Sequence, residues 1–441
     1  MDIVIPKPVN EVLNLLYENN YEGYIVGGAV RNMVMQEKPK NYNIVTNAPI
    51  SEVQKIFNKQ YQTFLCGENK KSMGIVNAKF PMEISMYRTK SNTLEDHLMT
   101  TDFTMNALAY SDEDGLIDYS GGILDIRDKV IRVNNNDEEL FIQDPLRILR
   151  AIRLSGEYGM KIDRQTQEYM FEHKDLLRDV APERIRDELS KIMVTTHCAF
   201  YLKKYFEIFL VILPEFSLME GFNQNDPHHI YSALDHTFVT IKNIEPNLEL
   251  RLTMLFHDIA KPFTYSVDEN GIGRFKDHNI RGAEMAREIL NRLKFNKKTI
   301  QKVTKLIEYH DYEIPDKEPI MKAFLSRFGI EDIEDLFKVK KANFYGKNPA
   351  YVSEMTKIEE DYLRTKGAMR KSSFIKKNEL RITGKDLVSL GVEQSMVGET
   401  LNRIYEQVLA GKVKNNHEKL ISHVIDTELK SEDETVLKMV A

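Results

Sequence analysis

Hydrophobic positions first recur at helical spacing at Val9, Leu13 and Leu16, so the stretch from Pro8 to Asn19 predicts a short helix with Pro near its start. A β-prone run, Tyr24-Ile25-Val26, then enters Gly27 and Gly28, and an amphipathic helix opens behind them with Arg31 in its first turn. From Asn41 the period changes to two. Asn41, Asn43 and Val45 fall on one face of a strand and Tyr42 and Ile44 on the other. A helix capped by Ser51 is expected to run to Phe57. Strands follow over 72–80 and 81–88, where Glu83, Ser85 and Tyr87 alternate with Ile84 and Met86, and 118–127 gives a strand, a glycine turn and a return. From about residue 200 the pattern is helical. The apolar-rich run Tyr201 to Leu213 reads as core, because it carries charge and is shorter than the ~20 residues of a membrane helix. The expected fold class is α+β: an N-terminal mixed sheet with helices, then a long all-helical region.

Composition narrows the picture modestly. A chain of 441 residues is expected to form about two to four domains. With 42% apolar and 29% charged residues it resembles an ordinary soluble protein, and its formal charge of −6 means that any nucleic-acid surface must be a local basic patch. Cys66 and Cys198 make no disulfide framework or CxxC metal knuckle, so two reduced thiols are expected. No apolar leader follows Met1 and no apolar run is long enough to span a bilayer, so a cytoplasmic protein with no membrane partner is expected.

Three stretches carry chemistry. Gly27 and Gly28, lacking side chains, let backbone N–H groups approach a phosphate at a helix N-terminus. The Asn41/Asn43 face stands where a polymerase-like site would need two carboxylates to hold Mg²⁺. Arg147, Arg150 and Arg153 recur at three-residue steps behind Gln143-Asp144-Pro145, forming a basic stripe. There Asp144 can accept and Arg147 donate, as reading a base edge requires, although an ordinary salt-bridged helix face gives the same pattern.

Together these stretches resemble the tRNA nucleotidyltransferase and bacterial poly(A) polymerase family. In that family Gly-Gly-x-Val-Arg-Asp leads to an Asp-x-Asp pair that binds the catalytic metals. Gly27, Gly28, Val30 and Arg31 match, while Asn32, Asn41 and Asn43 stand where the family carries Asp. Glu83 resembles the acidic residue of the neighbouring strand. Asp102, Phe103, Thr104 and Asn106 match a segment that helps hold the ribose, with Thr100 and Thr101 replacing two arginines. Asp144 and Arg147 match the family's Glu-Asp-x-x-Arg base-reading motif, Gln143 replacing its Glu. The resemblance implies a nucleotide site drawn from Gly27, Gly28, Arg31, Asp102, Asn106, Asp144, Arg147, Arg150 and Arg184. It implies ATP or CTP as ligands, tRNA or another structured RNA as partner, and Mg²⁺ held only weakly.

Farther on, His236, the pair His257-Asp258, His278 and His310 have the spacing of an HD metal-dependent phosphohydrolase, with Asn343 where intact relatives have Asp. That likeness implies a site for a divalent transition metal such as Mn²⁺, Fe²⁺ or Ni²⁺. The stretch 366–377, with Arg370, Lys371, Lys376 and Lys377, is a candidate RNA-facing patch, and 381–391, with Lys385, resembles the family's C-terminal tRNA-contacting module. The expected domains are a nucleotidyltransferase-like domain (1–140), a helical neck and base-recognition region (141–225), an HD-like helical domain (226–362) and a tRNA-binding-like tail (363–441). The leading expectation is a tRNA- or nucleotide-binding family member with lost or strongly reduced transferase activity. An active transferase adding CCA or A to RNA 3′ ends, or a regulatory protein-binding subunit, are the alternatives.

Overall fold

Pro6 and Pro8 set the backbone for the first helix, α1 (Lys7–Glu18), whose Val9, Val12, Leu13 and Leu16 are buried. The computed structural model describes residues 3–66, 72–76, 81–87, 91–371, 379–409 and 411–429. The chain divides into two compact units, 1–214 and 215–441.

In the first unit β1 (Tyr24–Val26) turns at Gly27 into α2 (Gly28–Val34), and β2 (Tyr42–Thr46) follows. Gly27 has φ +72° and ψ −136°, a backbone conformation essentially reserved for glycine. The helix α3 (Ile50–Phe57) starts behind Pro49 with no side-chain cap, so the cap expected from Ser51 is not formed. The sheet continues with β3 (Gln62–Cys66), β4 (Ser72–Val76) and β5 (Met82–Met86); Arg88 lies outside the described residues. After α4 (Leu94–Met99), capped by the Thr93 side chain, come β6 (Leu108–Ser111), β7 (Gly115–Asp118) and α5 (Gly122–Arg127).

Among the described residues the seven strands order β3-β4-β5-β2-β1-β6-β7. β2 runs antiparallel to β1 but parallel to β5, placing Asn43 opposite Val26 on one side and Glu83 on the other. The two-residue alternation sorts the faces. Ile25, Tyr42 and Ile44 join Val9, Leu13, Val53 and Phe57 in the main core, whereas Val26, Val45 and Ala109 pack with Tyr87, Leu94 and Leu98 on the opposite face. Helices α6 (Leu146–Tyr158) and α7 (Pro182–Met193) pack together later in the unit. The apolar run 201–213 is core as expected, but divides at Tyr205 into the helices Cys198–Lys204 and Phe206–Ile212.

The second unit is built mainly from helices: α8 (Ala233–Lys242), α9 (Leu248–Phe256), α10 (His278–Arg292), α11 (Lys297–Tyr309), α12 (Ile333–Tyr345) and α13 (Val352–Lys371). Its tail, α14 (Gly384–Ser389), α15 (Val397–Leu409) and α16 (His417–Val424), closes on Ile382, Leu387, Ile404, Val408, Leu420 and Val424. Thr383 and Asp386 form a reciprocal capping box at the start of α14. Among the described residues no helix is long and apolar enough to cross a membrane, and both cysteines are free.

Candidate functional site

The glycine turn, the second face of β2 and β5, and α6 enclose a cleft of about 290 Å³. Gly27, Gly28, Arg31, Asn43, Glu83, Asp102, Asn106, Arg147 and Arg150, all singled out in the sequence, line it together with Ser85, His97 and Thr101. Asn41 does not. It lies just ahead of β2 and, like Asn43, is exposed.

One hydrogen-bonded chain organises the floor of the cleft. Arg31 donates from Nε (3.1 Å) and Nη2 (2.8 Å) to Asn32 Oδ1, and from Nη1 to Asn106 Oδ1 at 2.6 Å. Its Nη2 also lies 2.6 Å from the Tyr158 hydroxyl, and its guanidinium stacks 4.6 Å from that ring's centre. Asn106 Nδ2 in turn donates to Asp102 Oδ1 at 2.9 Å, and Arg150 Nη1 to Asp102 Oδ2 at 2.7 Å. Burial opposes ionisation of Asp102, but the Arg150 guanidinium and these hydrogen bonds outweigh it and hold the carboxyl below its usual range.

The Asp102 segment is itself fixed. Thr104 Oγ1 donates to Asp125 Oδ2 at 2.7 Å, and Arg132 bridges Asp125 and Asp163 at 3.2 and 2.9 Å. Gly122 lets this loop close, since a Cβ there would stand 2.1 Å from the Thr104 carbonyl oxygen.

The expected stripe of α6 is divided among three sets of contacts within the chain. Arg147 donates to the main-chain oxygens of Leu140 (2.8 Å) and Thr100 (3.1 Å), Arg150 holds Asp102, and Arg153 pairs with Glu188 at 2.6 Å. Asp144 lies outside the cleft lining and accepts from Arg184 Nη2 at 2.9 Å. Main-chain carbonyls compete for a guanidinium as well as a base edge does, and periodicity does not reveal them.

The second unit brings His236, His257, Asp258, His278 and His310 together. Each ring turns Nδ1 to a main-chain oxygen: His236 to Gly346 (2.8 Å), His257 to Met254 (2.8 Å), His278 to Phe275 (2.8 Å) and His310 to Ile307 (2.6 Å). The Nε2 atoms therefore face inward around Asp258, which is 1% exposed. Burial, only partly offset by Asp258, pushes the His236 imidazole down to about 4, and burial pushes His310 down to about 3. Asn343 Oδ1 lies 2.9 Å from His236 Nε2, and its Nδ2 donates to Asp311 Oδ1 at 3.3 Å. Gly346 was not anticipated. A Cβ there would stand 2.5 Å from His236 Nδ1, so only glycine lets the carbonyl reach the ring.

Of the expected RNA-facing residues, Arg370 and Lys385 are exposed, while Lys376, Lys377 and the side chain of Lys371 lie outside the described residues.

Three family models match successive parts of the chain: the poly A polymerase head domain over residues 23–132, the probable RNA- and SrmB-binding site of polymerase A over 159–219, and a putative tRNA nucleotidyltransferase domain 2 over 278–424. The chain belongs to the CCA-adding enzyme and poly(A) polymerase family. It is 36% identical over 203 residues to the CC-adding tRNA nucleotidyltransferase of Halalkalibacterium halodurans, a match spanning 45% of this chain and 51% of that relative. With the CC-adding tRNA nucleotidyltransferase of Thermus thermophilus it shares 29% identity over 69% of this chain and 72% of the relative. The family fold extends through both units. The crystal structure of the Bacillus stearothermophilus CCA-adding enzyme in complex with CTP covers 98% of this chain and 100% of its own, with TM-score 0.66 and 22% identity. The Thermotoga maritima CCA-adding enzyme complexed with tRNA gives TM-score 0.57 at 21% identity, covering 97% of each chain.

Proposed function

We propose that this family member binds tRNA or nucleotide through its N-terminal cleft and helical tail, with nucleotidyl transfer lost or strongly reduced. The observation that carries the reading is the donor set of the cleft. Across β2 and β5 Glu83 faces the neutral amide of Asn43, and Asp102, the other carboxylate among the described lining residues, is bound by Arg150. Two Mg²⁺ ions need anionic oxygens on both sides of the reacting phosphate, and this set does not fit them. Arg31, Arg147 and Arg150 leave three guanidinium groups against two carboxylates in the lining, a balance suited to a phosphate.

The chain is read as a nucleotidyltransferase-like domain (1–140), a neck (141–225), a helical domain (226–362) and a tail (363–441), working in the cytoplasm. The names of the Halalkalibacterium and Thermus relatives favour a second reading, an active enzyme adding CC or CCA from CTP and ATP. Incubating the purified chain with Mg²⁺ or Mn²⁺, CTP, ATP and a tRNA lacking its CCA end separates the two. Binding without extension is expected; extension at ordinary enzyme turnover would establish the second reading.

A further inference from the structure

The histidine cluster of the second unit has two halves that share Asp258 and differ in charge. On one side Asp258 Oδ2 faces His236 Nε2 (3.4 Å) and His257 Nε2 (3.3 Å), but the buried Lys261 ammonium already holds that oxygen at 2.8 Å. The remaining donor there, Asn343 Oδ1, is neutral. A metal cation on this side would meet a lysine instead of a second anion.

On the other side Asp258 Oδ1 lies 3.6 Å from His278 Nε2 and 3.8 Å from His310 Nε2. Asp311 Oδ2 lies 3.2 and 3.5 Å from the same two atoms, and the two Nε2 atoms are 3.4 Å apart. Tetrahedral coordination with bonds of about 2.0–2.1 Å puts ligand atoms about 3.3–3.4 Å apart. These are five of the six separations among the four donor atoms, and at 3.2–3.8 Å they lie close to that spacing. With each Nδ1 turned to a main-chain oxygen, the two Nε2 atoms face one another at 3.4 Å, an arrangement that calls for a proton or a metal cation between them. His278, His310 and Asp311 also line an open cavity of about 470 Å³, whereas His236 and His257 do not.

We propose that Asp311 supplies the carboxylate missing at Asn343 and completes, with Asp258, His278 and His310, a site for one divalent first-row transition metal. Two imidazoles and two carboxylates suit Mn²⁺, Fe²⁺, Co²⁺ or Zn²⁺ better than Mg²⁺, which keeps its waters and prefers an all-oxygen shell. Through Oδ1 Asp311 also receives the Asn343 amide, which turns the amide oxygen towards His236 and leaves Asp311 Oδ2 for the metal. The position is set from outside the cluster as well, because Lys340 Nζ donates to the carbonyls of His310 (2.9 Å) and Tyr312 (2.7 Å) on either side of Asp311.

The test loads chelator-stripped full-length protein with Co²⁺, Mn²⁺ or Zn²⁺. It reads metal stoichiometry by elemental analysis, affinity by calorimetry and coordination by the visible Co²⁺ spectrum. About one equivalent is expected to bind, with the intense bands of tetrahedral Co²⁺. Asp311→Asn should weaken binding about tenfold or more. Asp311 faces solvent with a 43% exposed side chain, so the variant should fold, and a thermal melt checks that it does. His236→Gln, on the lysine-bound side, should leave affinity within about threefold, a change under 1 kcal/mol. Absence of metal binding in the unaltered chain would overturn the proposal, as a proton shared by His278 and Asp311 would then satisfy the same contacts. Binding that survives Asp311→Asn but disappears in His236→Gln would overturn it too, placing the ion on the opposite side.

Discussion

Asn43 and Glu83 stand directly opposite one another across the parallel pair β2–β5, both on the face that lines the cleft. A carboxylate at position 43 would make an anionic pair there. Asn43→Asp is therefore expected to tighten Mn²⁺ binding to the N-terminal unit by about tenfold, equivalent to about 1.4 kcal/mol. Titration calorimetry on a chain already carrying Asp311→Asn isolates this site from the histidine cluster. Unchanged affinity would mean that position 43 does not control metal capture.

The Asp102–Arg150 pair ties stability to pH. Asp102 is 6% exposed and its carboxyl is held below the ordinary value of about 3.9, so its contribution is fully present above that value and is lost as pH falls through the lower folded one. Asp102→Asn leaves Arg150 without this partner and is expected to cost about 1–3 kcal/mol at pH 7. Denaturant melts of both proteins should converge towards pH 2. A gap that stays constant from pH 7 to pH 2 would assign the cost to packing.

Gly122→Ala tests the closure of the loop that carries Asp102. The added methyl would meet the Thr104 carbonyl oxygen at 2.1 Å, a backbone atom that cannot rotate away, so a loss of about 1–3 kcal/mol is expected. Gly121→Ala is strained for a different reason, its φ of +76°, with nothing within 4 Å of an added Cβ. A thermal melt of Gly122→Ala matching the unaltered chain would show that the loop relaxes around the methyl.

Much of the cleft was legible because its signals are local. The Gly27 turn, the alternation of Asn43 and Val45 with Tyr42 and Ile44, and the Asp102–Asn106 segment each follow from a few adjacent residues. What stayed hidden depends on contacts distant in sequence. Tyr158 meets Arg31 across 127 positions and Gly346 meets His236 across 110. Arg147 falls in the same class: a three-residue arginine spacing is identical whether its donors meet a base, a carboxylate or the carbonyls of Leu140 and Thr100. Asp311 follows His310 directly, yet its relation to Asn343 appears only when α11 and α12 pack.

That placement of Arg147 changes what its removal should do. Arg147→Ala is expected to lower thermal stability, by about 1–3 kcal/mol for the two main-chain acceptors left behind, and to reduce binding of ATP, CTP, GTP and UTP alike. Fluorescence titrations with the four nucleotides check it. A selective loss for one or two of them, at unchanged stability, would return Arg147 to base reading.

The tail prediction rests on exposed charge instead of buried contacts. Arg370, at the end of α13, and Lys385, in the first turn of α14, are both solvent-exposed. Reversing them (Arg370→Glu with Lys385→Glu) should therefore leave the melting temperature nearly unchanged, because the Thr383–Asp386 capping box does not use the Lys385 side chain and an acidic residue in the first turn of a helix is not unfavourable. If tRNA phosphates lie against this surface, each lost contact removes about one unit from the slope of log affinity against log salt. The double variant should then bind tRNA more weakly at low salt, with a slope shallower by about two. The two proteins should converge as salt rises, because the missing contribution is the screened one. Filter-binding titrations at several salt concentrations measure both quantities together. Equal slopes and equal affinities would move the RNA surface elsewhere in the chain, whereas weaker binding at an unchanged slope would mean that the substitutions disturb the tail and not its charge.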